Sequence, residues 1–202
     1  MKRAEDYYSK LARLKDFPAR SVFKLEEMQD RFALLKAGQK VLDLGSAPGS
    51  WSQFCLQRLG PKGSLVGVDL EPANFKVSPG PKYRFLKGDI FSSEITSSLR
   101  ELGPYDLVLS DAAPRTSGSG LVDAQGSLEI AWQAVEIAAN TLKPGGNLVV
   151  KVFQGGEEGQ LLRQIKSLFR RARAFKPKAS RNKSRETYFL GLYFEAKVEK
   201  KA

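Results

Sequence analysis

The chain has 202 residues, 42% of them apolar, enough for one domain with a sizeable core. Lys and Arg number 33 against 22 Asp and Glu, a net charge of +11, which points to a polyanionic partner such as nucleic acid. A single cysteine and no histidine exclude an internal disulfide, a multi-cysteine metal site, histidine-ligated zinc and any histidine-based triad.

Residues 1–20 are basic and polar and read as an arm; Tyr7, Tyr8 and Phe17 within it are expected to stack on unpaired bases or to pack on the domain. The domain proper is expected over 21–195. It opens with SVFKLEEMQDRFALL (21–35), whose Val22, Leu25, Met28, Phe32 and Leu35 share one helical face, with Ser21 as N-cap. Strands and helices then alternate. Strands are predicted at 40–45, 64–70, 83–90, 105–113 and 147–153, and helices at 50–59, 92–102, 124–142 and 158–170. Such alternation predicts an α/β fold with a mostly parallel sheet and helices on both faces. The last two strands, 171–177 and 187–194, have no long helix between them and are expected to pair antiparallel. Residues 196–202 form a charged tail. No run approaches the roughly 20 apolar residues of a membrane span, and the N-terminus lacks a signal-peptide core, so a cytoplasmic protein is expected. No extended apolar face is left over, which favours a monomer.

VLDLGSAPGSWSQ (41–53) is a strand, a glycine turn and a helix, the arrangement that brings a nucleotide-type ligand to backbone and helix N-terminus. The spacing Gly45-x-x-x-Gly49 differs from the dinucleotide fingerprint, and Pro48 has no N–H to offer a diphosphate. Asp43, Asp69 and Asp89 fall at or near the carboxyl ends of three successive strands, where they can line one crevice. Asp69 suits the hydroxyls of a ribose and Asp89 an adenine amino group.

DLGSAPGSWSQ resembles motif I of S-adenosylmethionine (SAM) methyltransferases as carried by the FtsJ/RrmJ-type RNA 2′-O-methyltransferases. ARSVFKLEEM, VDLEP, GDI, DLVLSDAAP, GGNLVVKVFQG and SRETYF resemble that family's blocks in the same order, from about residue 18 onward. One departure is Ser50, where the family often has glycine. The resemblance implies a Rossmann-like SAM methyltransferase with a seven-stranded sheet whose last strand is antiparallel. It implies SAM as cofactor, S-adenosylhomocysteine as product, and no metal. Asp43, Gly45, Ser46, Pro48, Gly49, Trp51, Asp69, Leu70, Asp89, Ile90 and Asp111 are the implied cofactor-binding residues.

It also accounts for Lys151, a cation inside the apolar run NLVVKVF. The implied catalytic set is Lys24, Asp111, Lys151 and Glu186, with Lys151 as the base for a ribose 2′-OH. Burial and a second cation favour the neutral amine a base requires, and an adjacent carboxylate opposes it. The implied substrate is ribosomal RNA, a uridine of the large subunit or its precursor. Transfer RNA is the alternative substrate; a non-catalytic, RNA-binding assembly factor is the alternative class. Basic residues near the N-terminus and over 170–185 suit phosphate contacts. The Gly/Ser-rich stretch 114–127 reads as a loop closing over SAM or RNA. Trp132 and Cys55 read as packing residues.

Overall fold

The computed structural model describes residues 7–75, 80–114, 117–155, 157–181 and 184–195. In chain order the elements are α1 (Tyr7–Leu14), α2 (Val22–Phe32), β1 (Lys40–Leu44), α3 (Ser50–Leu59), β2 (Ser64–Asp69), β3 (Lys82–Lys87), α4 (Ser93–Leu102), β4 (Tyr105–Ser110), α5 (Gly120–Thr141), β5 (Leu142–Phe153), α6 (Glu158–Leu168), β6 (Phe169–Phe175) and β7 (Glu186–Phe194). One sheet carries the order β3-β2-β1-β4-β5-β7-β6. Pairs from β3 through β5 are parallel, and β7 is antiparallel to both β5 and β6. The expected antiparallel last pair is therefore present, with β7 inserted between β5 and β6.

Alternation along the strands divides the core in two. Leu42 and Leu44, Val66 and Val68, and Leu148, Val150 and Val152 pack with α4, α5 and α6 on one face. Val41, Leu65, Leu107, Leu109, Val149 and Leu190 pack with α1, α2 and α3 on the other. By the same alternation Asp43 shares the second face with Val41, Lys151 with Val149, and Tyr188 and Glu186 with Leu190. These polar side chains thus point into the layer formed by α1–α3.

Several boundaries differ from the sequence expectation. The arm contains a helix, α1, whose Ala12 is buried against the second core half; residues 1–6 and the tail 196–202 lie outside the described residues. Ser21 makes no side-chain cap bond, because it already has helical angles. Helix α2 stops at Phe32, where Ala33 adopts left-handed angles and its N–H returns to Gln29 O; buried Leu35 follows outside the helix. Strand β5 starts at Leu142, five residues before the apolar run. Helix α5 starts at Gly120, so the loop after β4 is shorter than 114–127; Ser117 donates to Asp123 Oδ1 through both its N–H and its hydroxyl, at 2.7 and 2.8 Å. Cys55 is buried, whereas Trp132, expected to pack, is exposed on the surface.

Candidate active site

The chain runs outward from β1 to β2 and β3, then returns to β4 on the other side of β1. The crevice at the carboxyl ends of β1 and β4 is the point where an open α/β sheet takes its ligand. Asp111, the first residue after β4, opens onto it. Lys151 Nζ lies 3.1 Å from Asp111 Oδ1 and also donates to Asp111 O. Tyr188, the register partner of Lys151 across β5 and β7, donates its hydroxyl to the same Oδ1 at 2.7 Å. Lys24 Nζ lies 2.7 Å from Glu186 Oε2, and Ser180 donates to Glu186 Oε1 at 2.9 Å. Lys24 Nζ also stands 5.8 Å from the Tyr188 ring. The fold thus brings Lys24, Asp111, Lys151 and Glu186 together around Tyr188, which sequence reasoning passed over. Its signal was its place in SRETYF, two residues after Glu186 and so on the same strand face.

Electrostatics keep Asp111 ionised. Burial opposes ionisation of Asp111, but Lys151, Lys24 and the bond from Tyr188 outweigh it and hold the carboxyl below its ordinary value. Burial, with Asp111 and Glu186 beside it, pushes the Tyr188 phenol well above its usual range, so it remains a donor. Trp51 closes the cluster, its ring 5.8 Å from that of Tyr188 and its Nε1 donating to Ser21 O at 2.9 Å.

The glycine loop between β1 and α3 forms the other wall. Gly45 (φ +73°) lies so close to Ala112 that an added Cβ would come within 2.6 Å of it; Gly49 (φ +115°) packs under the Phe75 ring, 2.2 Å from such a Cβ. Both positions require glycine. The loop after β1 therefore touches the loop after β4, and Asp111 sits beside Gly45. Asp69 Oδ2 accepts from Ala47 N at 2.9 Å and its Oδ1 from Glu71 N at 3.0 Å, leaving a lone pair on each oxygen. Asp89, two residues beyond β3, is exposed and accepts from Phe91 N through Oδ1, at 3.0 Å. Leu70 and Pro48 are exposed at this end, while Ile90 turns its side chain into the core.

Asp43 is fully buried beneath the loop and accepts from Ser52 Oγ at 2.6 Å. Burial pushes its carboxyl from 3.8 up to about 7; the Ser52 bond resists this, and the charges of Asp111 and Asp69 add to it. Among the described residues Asp43 Oδ1, Ser46 Oγ and the Tyr83 hydroxyl are buried with no hydrogen-bond partner. Polar atoms free for a ligand or water, two glycines that allow close approach, and acids along the strand ends fit a nucleoside-bearing group such as SAM. Among the described residues no group of three or more acidic or cysteine side chains is placed to hold a metal ion.

Of the arm aromatics, Tyr8 packs on Phe23 (ring centroids 5.5 Å apart) and Phe17 on the core, while Tyr7 is exposed. The basic segment divides. Arg170, Arg171 and Arg173 are exposed along edge strand β6, and Arg185, also exposed, immediately precedes Glu186 at the start of β7. There its guanidinium covers the start of α5, 2.6 Å from where a Gly120 Cβ would be. Among the described residues no helix is long and apolar enough to cross a membrane.

Residues 17–194 match the sequence profile of the FtsJ-like methyltransferases. The chain is 46% identical over 190 residues to the ribosomal RNA large subunit methyltransferase E of Treponema denticola, covering 94% of this chain and 95% of that one. It is 40% identical over 201 residues to the protein of the same name from Oleidesulfovibrio alaskensis, covering 98% and 96%. Among solved structures it resembles a ribosomal RNA methyltransferase, putative, from Plasmodium falciparum, with a TM-score of 0.75, 27% identity, and 88% and 98% coverage. Human methyltransferase-like protein 13, solved in complex with SAH, shares the fold at 14% identity, with a TM-score of 0.60 over 85% and 82% of the two chains. Glycine loop, acid-lined crevice and paired lysines thus fall inside one matched span covering almost the whole described structure, and the chain belongs to the FtsJ-like methyltransferase family.

Proposed function

We propose that this protein transfers a methyl group from SAM to a ribose 2′-OH of large-subunit ribosomal RNA. The observation that carries the reading is the pair of buried lysine–carboxylate contacts, Lys151–Asp111 and Lys24–Glu186, joined through Tyr188 beside the glycine loop. SAM, when bound, supplies a methyl activated by its sulfonium. The chain must then align an alcohol oxygen with that methyl and take up its proton. Without histidine, a lysine held on a strand next to a carboxylate is the group placed for this task. Lys151 orients the 2′-OH and receives its proton, Asp111 holds Lys151 in place, and Lys24, fixed by Glu186, positions the ribose. Gly45, Ser46, Gly49, Asp43 and Asp69 hold SAM, with Trp51, Pro48, Leu70, Asp89 and the Ile90 backbone bordering it. The net charge of +11 and Arg185 at the catalytic end supply phosphate contacts.

Methylation of a 2′-oxygen protects the neighbouring phosphodiester from alkali. Incubation with methyl-labelled SAM, ribosomal RNA, assembled large subunits and transfer RNA, followed by alkaline hydrolysis, tests the proposal. Label in one alkali-resistant dinucleotide of the large-subunit RNA is expected. Label confined to transfer RNA contradicts the ribosomal assignment, and SAM binding without any label contradicts catalysis.

A further inference from the structure

The first turn of α3 grips one stretch of chain with three side chains. Ser50 Oγ accepts from Ala19 N at 2.6 Å, Trp51 Nε1 donates to Ser21 O at 2.9 Å, and Gln53 Nε2 donates to Asp16 O at 2.9 Å. Ser50 is 2% exposed, so its bond to half-buried Ala19 is partly shielded from water. The gripped stretch, residues 16–21, runs straight into α2, whose third residue is Lys24. Its other flank is tied too: Arg20 Nη2 donates to Ala179 O at 2.5 Å, next to Ser180, whose hydroxyl holds Glu186. Helix α2 has no side-chain cap of its own. Its first N–H groups, those of Val22, Phe23 and Lys24, turn back onto Ala19, Arg20 and Ser21 O, and the bonds from α3 tie this local turn to the cofactor loop.

We infer that Ser50 is a positioning residue: its hydroxyl fixes the entry of α2, and thereby the placement of Lys24 against Glu186 and the cofactor loop. The inference rests on the methyl-transfer reading above. Replacing Ser50 with alanine leaves the half-buried Ala19 N–H without its acceptor and frees the segment leading to Lys24. The Ser50 hydroxyl is engaged with Ala19, so its removal acts on the Lys24 side of the site and spares SAM.

The experiment compares wild type with Ser50→Ala and Ser50→Cys, the latter close in shape with a weaker acceptor. It measures the SAM Kd by calorimetry, kcat and KM for ribosomal RNA, and amide hydrogen exchange over residues 17–24. The expected result is a kcat lowered on the order of tenfold by alanine and by less with cysteine. The SAM Kd stays within about twofold, because the change spares the cofactor side, and exchange is faster over 19–24. If the alanine variant does not fold, the cysteine variant decides by the same readings. Wild-type kcat and exchange in the variants overturn the inference, as does a parallel loss of SAM affinity and kcat, which marks a general structural role. A wild type that binds SAM but is inert on every RNA overturns the methyl-transfer reading and the inference with it. Active wild type with unchanged variants overturns the inference alone.

Discussion

Lys151 and Tyr188 face each other across β5 and β7 and converge on a single oxygen of Asp111. One carboxylate oxygen thus takes the Lys151 amine and a phenol hydroxyl, while Oδ2 carries neither bond. The arrangement fixes the carboxylate plane and keeps it ionised, which in turn fixes the lysine.

Tyr188→Phe keeps the ring against Trp51 and removes only the donor. Methyl transfer should fall by about tenfold, the usual weight of a hydrogen bond to a charged group. The pH profile should move as well. The Tyr188 bond is one of the influences that hold Asp111 below its ordinary value, so its loss moves the Asp111 titration upward. Activity should then fail at a higher pH on the acid side than in wild type. A pH–rate comparison checks this; superimposable acid limbs would contradict it.

Asp43 gives the opposite linkage. Its folded value, about 7, lies above the 3.8 of an ordinary aspartate, so the folded chain holds this proton more tightly than the unfolded chain. The associated stability is fully present below about 3.8 and is lost as pH rises through 7. Asp43→Asn removes the titration, and its amide oxygen can still accept from Ser52. Between pH 5 and pH 8 the variant should gain about 2–3 kcal/mol relative to wild type in urea unfolding. Parallel pH dependences in the two proteins would refute the assignment.

The Lys24–Glu186 pair is nearly buried, each side chain 11% exposed, so breaking it strands a charge. Glu186→Gln and Lys24→Met should each cost about 3 kcal/mol of stability. The double variant Lys24→Met/Glu186→Gln should recover much of that loss while remaining poor in methyl transfer. Denaturant midpoints of the single and double variants form the cycle; strict additivity would argue against a coupled pair.

Exposed Arg185 immediately precedes Glu186 at the start of β7. Arg185→Ala should raise KM for RNA severalfold, leave SAM binding unchanged, and reduce the slope of log affinity against log salt by about one. An unchanged salt slope would remove Arg185 from the phosphate contacts.

Most of the fold was legible because apolar runs and glycine turns mark parallel strands directly. The glycine loop was legible for the same reason: Gly45 and Gly49 stand where Ala112 and Phe75 leave no room for a side chain. The proposed catalytic set was not legible from spacing, since Lys24 and Glu186 are 162 residues apart and meet only when α2 packs beside β7; family resemblance alone placed them together. Tyr188 escaped notice because an aromatic in an aromatic strand looks like core, and its hydroxyl partner, Asp111, comes from the loop after β4. Helix α1 was hidden by its charge, for only Ala12 of its eight residues is buried. One task of Asp69 was not visible: its carboxylate braces the loop through Ala47 and Glu71, a backbone task that no sequence pattern announces.

The most direct test of the account is Lys151→Ala, assayed beside wild type for SAM binding by calorimetry and for methyl transfer to ribosomal RNA and large subunits with nucleotide mapping. The account predicts a SAM Kd close to that of wild type and a transfer rate lower by roughly 10²–10⁴, the weight of a lost proton acceptor. A variant that still methylates the same 2′-oxygen at a near-wild-type rate would contradict it.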